Sequence, residues 1–341
     1  MFLLGFVPMP GSGLGVSSGA VVKGRVLSMH RQITPDPDRA LGQAAPATLA
    51  PPPYRLAVAA LIFTQLLTGV WPVVGKWVLQ SVSVRVLVGV RILVAGPLLW
   101  LLARPWRHRM TAGEIAWCGL LGLLGVVGNQ TLFSEGLWRA SPLNSAVIGC
   151  SIPAWTLLFA VLLGQERPTG LRVGGVALAF SGALLLVGVD RLDLGPERAL
   201  GNLMLIGNSA LYAAYLVLSR PILTRHGALP VIGWVFGLAT PLILPYVWAD
   251  LAALRWSTVP EPAIAGLAYI VIGPTLLGYA LSAYALRAVP ASTAAIFVYV
   301  QPFITGLASG QVLGERPTWQ TFAAAALIFA GVALVSRRAP T

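Results

Sequence analysis

From residue 56 onward the chain is a succession of apolar runs, each close to 20 residues long and separated by short polar punctuation. A run of that length matches the hydrocarbon core of a bilayer, about 30 Å thick, when it rises about 1.5 Å per residue. Inside hydrocarbon a backbone must satisfy its own hydrogen bonds, so only helices and closed barrels span it. Barrel strands alternate apolar and polar residues with period two, and these runs do not. The sequence therefore predicts an all-α integral membrane protein. Ten transmembrane helices are expected, at 56–79, 84–103, 115–136, 143–164, 171–189, 199–219, 229–249, 263–286, 290–312 and 319–336.

Composition agrees. Hydrophobic residues make up 57% of the 341, charged residues only 10%, and the mean hydropathy is +0.79. Length alone would suggest two soluble domains, but so little charge cannot wet a soluble surface of that size. The net charge is +12. No basic patch interleaved with aromatics accompanies it, so no nucleic-acid partner is expected. Instead the basic residues mark loops such as "ARPWRHR" at 103–109 and "SRPILTRHG" at 219–227. With the N-terminus placed in the cytoplasm, 15 of the 23 Lys and Arg fall on the cytoplasmic side and 7 outside. The excess puts both termini inside, in a multi-pass protein of a bacterial inner membrane.

Residues 1–53 differ from the rest. They read as a polar, disordered arm, with Met29 as an alternative translation start. "GSGLG" at 11–15 lacks the strand and helix that a dinucleotide loop requires. Cys118 and Cys150 lie inside apolar runs and read as packing residues. His30, His108 and His226 have no metal-ligand spacing, and no cofactor is expected.

The tetrapeptide ERPT occurs at 166–169 and again at 315–318, an offset of 149. At that offset residues 141–188 match 290–337 without a gap at 13 of 48 positions, Pro153 on Pro302 and Gly182 on Gly331 among them. Shared oiliness does not readily align a mid-helix proline, a charged loop and a late glycine in one register. Residues 54–189 and 199–338 are therefore read as two copies of one unit. Five helices per copy is an odd number, so the second copy enters the membrane inverted. Two inverted five-helix repeats around a central cavity form an architecture that opens a site alternately to either face.

"GNQTLFSEGLWRASPLNSAVIGCSIPAWTLLFAVLLGQERPTGLRVGGVALAFSGALLLVG" at 128–188 and "ALRAVPASTAAIFVYVQPFITGLASGQVLGERPTWQTFAAAALIFAGVALV" at 285–335 resemble the EamA family of the drug/metabolite transporter superfamily. Gly69, Lys76 and Arg91 fit its first two helices, although "GVWPVVGKW" sets Trp71 and Pro72 after the glycine, where the family usually has Trp before it. The resemblance covers about 56–336. It implies a cavity lined by the first, third, fourth, sixth, eighth and ninth helices, with the fifth and tenth peripheral. It also implies a small metabolite as substrate, an amino acid or a derivative for example, moved without ATP.

Several residues are candidates for that cavity. Thr64, Gln65, Asn129, Gln130, Asn208, Tyr212 and Tyr279 are polar groups within spans, which must face the bundle either as interhelical glue or as a binding site. Trp71, Trp155, Tyr284 and Tyr299 offer aromatic walls, or packing. Glu135, four residues before Arg139, is an interfacial ion pair or a protonatable coupling group. Lys76 and Arg91 either snorkel to the interface or draw a substrate carboxylate into the vestibule. Pro153 and Pro302 kink their helices and are candidate gates. Small-residue faces in "GGVALAFSG" and "AAAALIFAG" permit close packing, within the bundle or in a homodimer. Glu166 and Glu315 are expected to pair with the adjacent arginine or to cap the next helix.

These readings favour a secondary transporter of small organic solutes, an exporter by preference. The alternatives are a membrane-embedded enzyme, which would need clustered acids or His pairs, a channel, which would need charge rings or a filter, and a structural membrane protein. No G-x-x-x-x-G-K-[ST] loop is present for an ATP-driven pump.

Overall fold

A computed structural model of the chain describes residues 50–140, 142–187, 196–304 and 319–336. The arm at 1–49, with Met29, and the second ERPT at 315–318 lie outside them. Besides two short 3-10 turns, Pro105–Arg107 and Trp256–Thr258, ten helices and no strand occur among the described residues. They are α1 (Tyr54–Val78), α2 (Val84–Ala103), α3 (Ala112–Arg139), α4 (Pro142–Gly149, then Ile152–Leu162) and α5 (Gly170–Val187). The second half holds α6 (Pro196–His226), α7 (Ala228–Ala253), α8 (Glu261–Leu286), α9 (Ala291–Ile304) and α10 (Trp319–Ser336). Seven of them, α1 to α4 and α6 to α8, are long and apolar enough to cross a membrane. The described apolar stretches of α5, α9 and α10 are shorter.

Burial is inverted relative to a soluble protein. Large apolar side chains such as Leu102, Leu162, Leu203 and Trp248 are 64–69% exposed, whereas Gln130, Asn144 and Thr156 are almost fully buried. Lipid tails are as apolar as leucine, so association of the helices rests on close packing and polar contacts rather than on escape from water. Small residues make the close packing possible. A Cβ added at Gly96 of α2 would lie 2.0 Å from the Thr240 hydroxyl of α7, and one at Gly237 of α7 would lie 2.5 Å from Trp100 of α2. In the same way a Cβ at Gly331 of α10 would lie 2.5 Å from the Gly175 carbonyl of α5. The small faces of α5 and α10 thus meet each other within one chain.

The neighbours run in a regular scheme. α5 packs on α10, α2 on α7 and α4 on α9. α3 packs on α6 and α7, and α8 packs on α1 and α2. α4 also packs on α6, and α1 on α9.

Two expectations are corrected. Residues 219–226 were expected to form a loop, but α6 continues through them to His226. Pro221 cannot donate to the Val217 carbonyl four residues back, and the Gln165 side chain fills the gap with an Nε2 donation of 3.1 Å to that oxygen. The chain then turns at a single residue, Gly227, whose φ of 87° suits only glycine, and enters α7 at once. The third and eighth spans were expected as plain helices. Each instead contains a π-helical stretch, Leu123–Gly128 in α3 and Val271–Leu277 in α8.

Candidate functional site

A cavity of about 110 Å³, room for several water molecules, is lined by Pro274 of the α8 π stretch and by Asn129 and Gln130, which follow directly on the α3 stretch. All six helices implied by the resemblance contribute to its wall, and α2 adds Arg91. An extra residue in a helical turn offsets the backbone ladder and frees groups for side chains, which is why π-bulges are frequent at functional sites. The Tyr279 hydroxyl, two residues beyond the α8 stretch, donates to the Gly125 carbonyl of α3 at 2.5 Å. Thr275, within the stretch, donates to the carbonyl five residues back, Ile270, at 2.7 Å. Asn129 and Asn208 exchange bonds between α3 and α6, Asn208 Nδ2 to the Asn129 carbonyl at 2.9 Å and Asn129 Nδ2 to the Asn208 carbonyl at 3.4 Å. Both amides are thereby spent partly on joining helices.

Of the residues singled out in the sequence, Thr64, Gln65, Trp71, Arg91, Asn129, Gln130, Asn208, Tyr212 and Tyr279 all line this cavity. Sequence reasoning missed Thr68, Phe133, Ser145 and Gln301. Gln301 of α9 donates to Gln65 Oε1 at 2.7 Å and to the Thr68 hydroxyl at 2.9 Å, tying α9 to α1 across one wall. Its signal was available, since it is an amide immediately before the mid-helix Pro302.

Gln130 and Arg91 stand out. Gln130 is 1% exposed and sits beside the Tyr279 hydroxyl, and neither of its amide atoms makes a hydrogen bond of good geometry to a described residue. An unmade bond of this kind costs roughly 1–3 kcal/mol. Arg91 is 4% exposed; its guanidinium lies over the Trp71 ring at 4.5 Å, and its Nε donates to Thr275 at 3.0 Å. Trp71 stacks in turn on Phe133. No described carboxylate pairs with Arg91, and it is the one charged residue among those lining the cavity. Charge at the centre of a span costs at least about 2.5–3.5 kcal/mol, and such residues normally face a partner or a pathway.

The other candidates lie elsewhere. Lys76 is not among the residues that line this cavity. Its Nζ donates to the carbonyls of Leu137, Trp138 and Ala140 at 2.8, 2.8 and 3.0 Å, capping the C-terminus of α3. Glu135 does not line the cavity. Its carboxylate pairs with Arg139 and accepts from the Tyr246 hydroxyl of α7 at 2.5 Å, beside an Arg85–Asp250 pair of 3.3 Å. Trp155 stacks on Phe159, and Tyr299 is fully buried with its hydroxyl donating to the Val176 carbonyl of α5. Tyr284 is likewise absent from the wall.

Pro153 follows an interrupted turn at residues 150–151 of α4, and Pro302 follows a 3-10 turn, Phe297–Val300, in α9. The carbonyls four residues before these prolines belong to Gly149 and Val298, and both residues line the cavity. Glu166 pairs with Arg172 at 2.9 Å rather than with Arg167. It also caps another helix altogether, accepting from the Ser292 amide at 3.2 Å and from the Ser292 hydroxyl at the start of α9. Among the described residues no His, Cys, Asp or Glu cluster suits a metal.

Comparison with known proteins agrees with this architecture. The chain is 24% identical over 251 residues to an "Uncharacterized transporter" of Archaeoglobus fulgidus, covering 73% of this chain and 86% of that protein. It is 25% identical over 250 residues to a protein of Streptantibioticus cattleyicolor named "Probable terminal-alkyne amino-acid exporter", covering 73% and 82%. A WAT1-related protein of Arabidopsis thaliana is 24% identical, covering 71% and 73%. One solved crystal structure shares the fold at a TM-score of 0.65 and 19% identity, covering 82% of this chain and 96% of that one. The model of the EamA-like transporter family matches twice, at residues 55–188 and 199–337, and the chain belongs to that family of multi-pass membrane transporters.

Proposed function

We propose that this protein is a secondary transporter that moves small organic solutes by alternating access, through ten transmembrane helices arranged as two inverted five-helix repeats. The observation that carries the reading is a correspondence between the halves. Shifting the α3 π stretch by the 149-residue offset lands it on 272–277, against Val271–Leu277 in α8. The helix neighbours obey the same exchange. Replacing each helix by the one five places on maps α3·α6 onto α8·α1, α3·α7 onto α8·α2 and α4·α6 onto α9·α1, and leaves α2·α7, α4·α9 and α5·α10 unchanged. The two separate family matches divide the chain at the same place. A cavity between exchangeable halves can open to one side when the halves rock one way and to the other when they rock back.

In this reading the turns before Pro153 and Pro302 are the bending points of α4 and α9. Export is the favoured direction, as in the relative named as an exporter, from a bacterial inner membrane with both termini in the cytoplasm. The substrates are amphipathic metabolites, because the cavity sets polar amides opposite aromatic faces. Should two copies associate, the contact uses surfaces other than the Gly175–Gly331 seam, which is occupied within one chain.

The test is uptake of a broad metabolite panel, amino acids and their derivatives included, into liposomes holding the purified protein, with and without a pH gradient. The expected result is saturable uptake of a subset of solutes. Uptake no greater than into empty liposomes for every solute would remove the transport reading.

A further inference from the structure

Within the transport reading, we infer that the cavity recognises its solute through a carboxylate bound to Arg91, and that the solute needs no amino group. The solute then supplies the counter-ion that no described residue provides. Arg91 is a buried cation with one directed hydrogen bond, from Nε to Thr275, and its plane is held by the Trp71 ring. The terminal nitrogens of the guanidinium keep their forked donor geometry, which matches a carboxylate bidentately. No described carboxylate is paired with it, whereas Arg85, Arg139, Arg172 and Arg225 each have an acidic partner. Among the described residues, this buried cation faces the cavity without an acid beside it.

The rest of the wall decides against an ammonium requirement. The lining residues contain no Asp or Glu, so a protonated amine would meet neutral acceptors alone, beside a like charge. Gln130, buried and without a hydrogen bond of good geometry to a described residue, presents an amide to the same space and can serve a second oxygen or a hydroxyl. Trp71, Phe133 and Tyr212 provide the apolar surface for the remainder of the solute. The class that fits is a small monocarboxylate with an apolar body, and zwitterionic amino acids enter through the same carboxylate. Thr275 is a positioning residue. It anchors Nε from within the α8 π stretch, so neutralising the guanidinium changes the load on that stretch.

The test uses one carbon skeleton in four charge states: 4-methylpentanoate, 4-methylpentanamide, leucine and leucinamide, with acetate as the smallest carboxylate. Thermal stabilisation of the full-length protein in detergent reads binding, and uptake into liposomes reads transport. A ligand that binds the folded protein raises its apparent stability with concentration. The expected outcome is stabilisation by 4-methylpentanoate and leucine to similar degrees, and none by the two amides. Arg91→Gln should weaken acid binding by at least about tenfold, and Arg91→Lys, which keeps the charge but loses the fork, should lie between. A matched elution profile for Arg91→Lys shows that the fold survives the change. Amides stabilising the wild type as strongly as the acids, or Arg91→Gln binding the acids undiminished, overturns the inference. So does a complete lack of stabilisation by any carboxylate at tens of millimolar. Uptake of neutral or cationic solutes alone would refute the carboxylate site and leave the transport reading standing.

Discussion

Lys76 offers the sharpest separation between a structural and a substrate role. Its three donors all end on carbonyls at the C-terminus of α3, a geometry in which a cation also opposes the negative end of the helix dipole. Lys76→Met keeps most of the stem and removes the charge. Two of the bonds, to Leu137 and Ala140, are partly buried, and the third, to Trp138, is exposed, where water or a lipid headgroup replaces it at little cost. Counting about 1–1.5 kcal/mol for each partly buried bond and nothing for the exposed one, the loss is about 2–3 kcal/mol. Spread over the unfolding entropy of a chain this size, that lowers the apparent melting temperature by about 4 °C. The assay is a melting curve in detergent, read with transport of whichever solute the wild type carries. The prediction is a lower melting temperature with an unchanged KM. An unchanged melting temperature, or a KM raised severalfold at constant stability, would refute the capping argument and return Lys76 to a substrate role.

Three further predictions follow from the packing. Gly331→Leu sets a branched side chain where a Cβ alone lies 2.5 Å from the Gly175 carbonyl, so α5 and α10 must separate; we expect a loss of more than about 2 kcal/mol, seen as low yield and faster proteolysis, and a variant that melts like the wild type would contradict the seam. Asn129→Leu and Asn208→Leu should each cost on the order of 0.6 kcal/mol, with the double variant costing less than the sum because the bonds are shared; strict additivity in a double-mutant cycle would show that the two do not interact. Glu135→Gln should leave the pH profile of uptake where it is, since this carboxylate is held by Arg139 and Tyr246 away from the cavity, and a displaced profile would restore it as a coupling group.

The division between what was readable in the chain and what was not has a physical basis. Bilayer solvent imposes two severe rules, apolar length and internal backbone satisfaction, and both are written in the linear order of residues. The helix positions followed from them, and so did the demand that Gln65, Asn129, Gln130 and Asn208 face inward. All four do face inward and line the cavity. The proposed repeat rests on identities at a constant offset, as at Pro153 and Pro302, which the linear order of residues carries.

What the chain order could not show was which inward groups meet each other. Hydropathy sees Lys76 and Arg91 only as two cations in neighbouring spans. Only the packing of α1 against α3 brings three carbonyls to Lys76, and only the approach of α8 to α2 gives Arg91 a hydroxyl and no acid. Trp155 and Tyr299 are as aromatic as Trp71, yet α4 and α9 turn them away from the space that Trp71 walls. Nor does an α-helical period mark a π stretch, because one extra residue in a turn is stabilised by tertiary partners such as the Tyr279 hydroxyl on Gly125. Length and oiliness were local properties and determined the helices. The site depended on side chains up to 236 positions apart, as in Gln65 and Gln301, and was decided by tertiary packing.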